Sequence, residues 1–291
     1  MANADDVCDE FSKIFRSRSK RVFKENLGVT VDLLVLLLTP LIVHGVTIND
    51  MIITLHFLKQ YPLQQTAFAL FRVSGVEYNK IIRHTMKAIV NVFGPREFDW
   101  RRRYQQAHPT GFFHKVYVVV DATECNIQRP FDVHIQEVYY SGKKKRHTLK
   151  YHVVCNISDG RIIDVHGPFL GRNHDITLAR SWFEMKNIQL DQGELILGDK
   201  GYIGLENCLT PIRRKNGGLT QVHTNYNQVL GSVRIVVEQA IARIKKFGCL
   251  RQTWRNDRSA HPFAFYTCAI IASLEMRDSP VTTAVNKFLL L

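Results

Sequence analysis

The sequence has no Cys-x-x-Cys pair; its six cysteines (Cys8, Cys125, Cys155, Cys208, Cys249 and Cys268) are scattered over 291 residues. That spacing argues against a zinc knuckle or a disulfide framework and suits a reducing compartment. Twelve histidines show neither a His-x-x-x-His nor a Cys2His2 spacing. A long apolar run is also missing. The longest, Leu33 to Val43, is broken by Pro40 and falls short of the roughly 20 residues a spanning helix needs, so no membrane partner is expected. The stretch Met1 to Glu10 is polar and acidic, and no secretory signal is expected there. Acids are in short supply: 26 Asp and Glu face 39 Lys and Arg, a formal net charge of +13. An excess of that size favours a polyanionic partner, nucleic acid before an anionic surface.

What is present falls into two styles. Residues 1–30 read as a basic N-terminal arm, either solvated or a first amphipathic helix. Its cluster Lys13 to Lys24, interleaved with Phe15 and Phe23, has a DNA-contacting or nuclear-import role as its functional alternative. Residues 31–92 read as helices. Leu33 to Leu38 form a segment that Pro40 ends or kinks, Asp50 lies near the start of an amphipathic helix, and Leu63 to Phe71 precedes a fourth helix from about Val76. The last two, joined across Ser74 and Gly75, predict a helix-turn-helix, or else an ordinary helical bundle. In the former geometry Asn79 and Arg83 are candidate base readers and Lys80 a phosphate contact. Residues 93–112 read as a basic linker carrying Arg101, Arg102 and Arg103, either solvated or tracking a DNA backbone.

Residues 113–291 change character. Val116 to Val120 is a short apolar strand ending in Asp121, and Leu195 to Gly198 is another ending in Asp199. Between them lie strands at His147–Ile157 and Ile162–Val165 with Asp159-Gly160 as a hairpin signal. A helix to Met185 follows, capped by Asn173 or Asp175. A long helix covers about Tyr226 to Phe247. Basic turns occur at Lys143, Lys144, Lys145 and Arg146 and at Arg213, Arg214 and Lys215. The pattern is α/β with a mixed sheet.

If the strands of Asp121 and Asp199 are parallel neighbours, their carboxylates meet at one edge. Two such charges about 4 Å apart repel by roughly 4 kcal/mol at an effective dielectric near 20. Cations or a shared proton must neutralise them, and oxygen ligands suit Mg²⁺ or Mn²⁺ rather than zinc. Glu238, off the buried stripe of the long helix, is the candidate third ligand. Its alternative is a surface pair with Arg234 four residues earlier. Two ions so held would activate an attacking oxygen and stabilise a leaving one at a phosphodiester.

The ordered stretches Asp121-Ala-Thr-Glu-Cys-Asn-Ile-Gln-Arg-Pro130, Tyr139-Tyr-Ser-Gly-Lys-Lys-Lys145, Gly171-Arg-Asn-His-Asp175, Gly198-Asp-Lys-Gly-Tyr202 and Arg234-Ile-Val-Val-Glu238 resemble the PIF/Harbinger transposases and the nucleases domesticated from them. The resemblance covers about residues 45–255. It implies an RNase H-like catalytic domain behind an all-α helix-turn-helix domain, and a DDE triad falling on Asp121, Asp199 and Glu238 with two Mg²⁺ or Mn²⁺ ions. Asp175, beside His174, matches a His-Asp motif and is an alternative ligand or a support for one. Lys200 is a candidate DNA-phosphate contact. The resemblance further implies a dimer in the nucleus, acting on terminal inverted repeats and T/A-rich targets in double-stranded DNA beside a Myb-like partner protein. The competing reading is a domesticated, non-cleaving DNA-binding or adaptor protein. Two departures stand out: Glu77-Tyr78-Asn79 lacks the usual Ser and Thr, and Cys268 to Leu274 contains no Leu-His-Asn.

Overall fold

The run Val116-Tyr-Val-Val-Val120 is β-branched and apolar enough to lie in the middle of a sheet, and it does. In the computed structural model, which describes residues 3–105, 113–214 and 218–280, β1 (Val116–Asn126) is the central strand. On one side it neighbours β3 (Arg146–Asn156), which pairs antiparallel with β4 (Ile162–Leu170) and, at its start, with β2 (Tyr140–Ser141). On the other side β5 (Leu195–Leu197) and then β6 (Cys208–Leu209) pair in parallel. The mixed sheet is therefore as expected, and its order is consistent with an RNase H-like fold. α8 (Asp175–Met185) covers the sheet through Ala179 and Trp182, packed with Val118, Val120, Val154, Ile163, Ile196 and Tyr202 in one buried cluster. Trp182 donates its indole N–H to the buried Asp164 at 2.8 Å, so the one polar group of that ring is satisfied.

The chain divides into two compact units. One comprises Met1–Arg96, Asn126–Gln128 and Arg243–Leu274; the other comprises Glu97–Cys125, Arg129–Ala242 and Glu275–Leu291. The first is helical: α1 (Ala4–Phe15), α2 (Lys20–Leu27), α3 (Val31–Leu38), α4 (Ile48–Gln60), α5 (Gln64–Phe71) and α6 (Gly75–Glu97, to Arg96 in this unit). Pro40 sits where α3 gives way to a 3-10 turn, Thr39–His44. Thr47 and Asp50 cap α4 reciprocally. Three residues separate α5 from α6, and a Cβ at Gly75 would lie 2.9 Å from the Phe68 ring, so glycine lets the two helices close there. Among the described residues no single helix is long and apolar enough to cross a membrane.

Three expectations are corrected. β1 does not stop at Asp121 but continues to Asn126, with Thr123 and Cys125 buried in alternation. α6 passes through Gly94 and Pro95 to Glu97, because a proline in a last turn forfeits only one helical hydrogen bond and Phe93 is buried on the way. The N-cap of α8 is His174, without a side-chain bond, and not Asn173 or Asp175.

Candidate active site

Five residues, Gly198 to Tyr202, build one wall of the site. Tyr202 is fully buried, and a Cβ at Gly198 would come within 2.9 Å of its ring, so glycine is required there. Asp199 caps the following 3-10 turn, Lys200–Tyr202, by accepting from the Gly201 N–H at 2.7 Å. A Cβ at Gly201 would lie 2.8 Å from Asp175 Oδ2 and 2.8 Å from Asp199 Oδ1, so these two carboxylates converge on the space glycine leaves open.

β1 and β5 are parallel neighbours, with Val119 matched to Leu197. Asp121 and Asp199 each follow their matched residue by two positions, which sets both carboxylates at the same level of the sheet. Burial, above all, pushes the Asp121 pKa up to about 6; the Asp199 and Asp175 charges add to this, against the Ala122 N–H and Arg234. Asp175 is also raised, chiefly by burial, while Lys150 and Lys143 pull it down.

Two cations are built into this cluster. The Lys150 ammonium is buried 3.5 Å from Glu124 and 3.7 Å from Asp175, and it donates to the Asn173 carbonyl at 2.7 Å. Glu124 also accepts from Thr148 Oγ1 at 2.8 Å. Arg234 Nη2, on α9 (Gln221–Ile244), lies 4.0 Å from Asp121 Oδ2 and 3.8 Å from Glu238 Oε1. Glu238 thus shares a guanidinium with Asp121 and makes the helix-surface pair with Arg234, and its side chain remains 56% exposed. Lys150 and Glu124 were not singled out from sequence. A lysine inside the run Leu149 to Val154, apolar apart from it and His152, was the available signal.

Among the described residues, no group of three or more His, Cys, Asp or Glu side chains is placed to hold a metal ion. The donor chemistry nevertheless fits a hard divalent cation: Asp121, Asp175 and Asp199 offer only oxygen, and beside the larger effect of burial the Asp199 charge raises the pKa of both Asp121 and Asp175.

The candidate DNA contacts divide. Lys143, Lys144, Lys145, Arg146, Lys200, Arg213 and Arg214 are exposed in the sheet-bearing unit. Lys215 lies outside the described residues, as do 106–112 of the expected linker. Arg103 is buried: its guanidinium bonds Glu194 at 2.8 Å and stacks on Trp100 and Tyr104, which withdraws it from any DNA surface. Arg102 is 3.9 Å from the buried Glu97, and exposed Arg101 pairs with Asp99 at 3.0 Å. In the helical unit Lys80 is exposed, Asn79 donates to the Gly75 carbonyl at 2.8 Å and Arg83 pairs with Asp257 at 3.3 Å. Asn79 and Arg83 also line a cavity of about 400 Å³ with Trp254, Arg255 and Asn256.

Residues 120–272, more than half of the chain, match the family described as DDE superfamily endonuclease. A curated relative, the probable transposase for insertion sequence element IS702 of Microchaete diplosiphon, is 35% identical over 145 residues, covering 48% of this chain and 50% of the relative. The chain thus spans about half the length of that relative. No solved structure matches. The matched region takes in the strand of Asp121, the turn of Asp199 and the helix of Glu238, and the chain belongs to the DDE superfamily endonucleases.

Proposed function

We propose that the chain is a transposase of the PIF/Harbinger type that cuts and rejoins DNA at terminal inverted repeats. The observation that carries this reading is the parallel register of β1 and β5, which levels Asp121 with Asp199, with an Asp175 oxygen converging on Asp199 at Gly201. Asp121 and Asp199 would hold the divalent ions, with Glu238 completing the set and Asp175 supporting it. When bound, Mg²⁺ or Mn²⁺ supplies a polarised phosphodiester and an activated attacking oxygen. The chain's own residues do the rest. Asp199 is fixed by the Gly201 N–H, and the buried Lys150 ammonium pairs with both Asp175 and Glu124. Arg234 offsets part of the charge of Asp121 and Glu238. Exposed Lys143 to Arg146, Lys200, Arg213 and Arg214 offer positive charge for the DNA backbone. Asn79, Lys80 and Arg83 remain the proposed helix-turn-helix contacts, which for Arg83 requires release from Asp257.

The similarity to an insertion-sequence transposase favours a second reading, in which the chain mobilises such an element without a Myb-like partner or a nucleus. Both readings predict Mg²⁺-dependent cleavage of DNA bearing the repeats that flank the coding region. Cleavage that survives Asp199→Asn would sink the assignment of the site. An unmodified protein that binds such DNA but never cuts it would favour the domesticated, non-cleaving alternative. Activity that appears only on adding a Myb-like protein would favour the first reading over the second.

A further inference from the structure

The loop between β1 and α7 (Val133–Tyr139) holds a large apolar side chain in water. Phe131 is completely exposed (104%) and Val133 is 71% exposed. The loop around it is well fastened. The Gln136 amide accepts from Arg129 Nε at 2.8 Å and donates to the Pro130 carbonyl at 2.9 Å, and Asp132 caps α7 through the His134 N–H at 2.8 Å. Proline at 130 fixes its own φ. Polar bonds on both sides of Phe131 thus lock a backbone whose one conspicuous product is an outward-facing ring.

The surroundings say what that ring would meet. α7 packs on β3, and the Arg172 N–H bonds the Val138 carbonyl at 3.3 Å, tying the end of α7 to the loop that leads into Asp175. Tyr140 stacks edge-on with His147 at 5.7 Å, and burial, with the Arg129 charge second, lowers the His147 pKa, which sets Arg129 beside the β2–β3 hairpin. That hairpin carries exposed Lys143, Lys144, Lys145 and Arg146, and Lys143 is close enough to act on Asp175. Ring, basic turn and acid cluster are therefore carried on elements packed or bonded to one another. An apolar patch bordered by cations suits a ligand with an anionic backbone and flat apolar faces.

We propose that Phe131 is a stacking wedge, its ring lodging against an unpaired or unstacked DNA base while Lys143–Arg146 hold the adjoining phosphates. This deepens the DNA-cleaving reading and rests on it. The test compares unmodified protein, Phe131→Ala and Phe131→Trp on two short duplexes in Ca²⁺ with no Mg²⁺, one fully paired and one with 2-aminopurine opposite a mismatch. The unmodified protein should prefer the mismatched duplex and alter its fluorescence. Phe131→Ala should lose about tenfold of that preference, and Phe131→Trp should keep it. Because the ring is outside the core, circular dichroism of both variants should match the parent. Equal preference in Phe131→Ala would overturn the wedge while leaving the DNA reading intact. A change in oligomeric state with equal preference would overturn it too, in favour of a contact between protein copies. No binding of the unmodified protein to either duplex would overturn both readings.

Discussion

Asp121 shows how one residue couples folding to metal binding. Its folded pKa, about 6, lies above the usual carboxylate value near 3.8 because the side chain is buried among other acids. A raised carboxylate pKa means the folded state holds its proton more tightly than the unfolded chain does. The resulting stabilisation is complete below about pH 4 and lost as pH rises through about 6, on the order of 2–3 kcal/mol. Metal-free protein should therefore lose stability across that window, and Asp121→Asn should flatten the loss; denaturant melts at several pH values check both. The thermal shift on adding Mg²⁺ should grow over the same interval, since the ion needs the ionised form. Lys150 makes the complementary case. Its side chain is 7% exposed with the ammonium between two acids, and Lys150→Met would strand both. A loss of about 3–5 kcal/mol is expected in urea unfolding at neutral pH; an unchanged midpoint would show that the buried pairs contribute little.

At the scale of elements, the turn after β5 is the most tightly specified piece. Gly201→Ala pushes a methyl between Asp175 and Asp199, each 2.8 Å from where the Cβ would stand. Mg²⁺-dependent cleavage should fall at least tenfold while the circular dichroism of the sheet is kept. Gly171→Ala is different in kind: its Cβ would meet the Tyr139 carbonyl oxygen at 2.1 Å, a backbone atom that has nowhere to go. That variant should lose about 1–3 kcal/mol or more in thermal or urea unfolding. The apolar runs before Asp121 and Asp199 were legible in the sequence, and so was the Asp159-Gly160 hairpin, because alternation and turn chemistry are local signals. The length of β1 was not legible: Thr123 and Cys125 continue the buried alternation, but the charge at Asp121 and Glu124 hides it. β6, two residues long, has no pattern to detect. The pairings of Lys150 and Arg103, and that of Arg234 with Asp121, were not legible, since each depends on which segments the fold brings together. The Arg234–Glu238 pair lies within one helix and was legible.

For the whole molecule the governing quantity is charge. A net +13 and the exposed basic turns predict DNA affinity that drops at least about tenfold between ~50 and ~200 mM salt, measurable by fluorescence anisotropy. A flat response would mean that the cations face solvent only. The burial of Arg103 against Glu194 already shows that the net figure overstates the positive charge available to a ligand. Arg234, lodged between Asp121 and Glu238, carries a last implication. A preparation stripped by chelator does not confront bare repulsion there, since a resident guanidinium serves as stand-in. Such protein should keep in storage and regain competence when magnesium is restored, with the arginine stepping aside as the ion arrives.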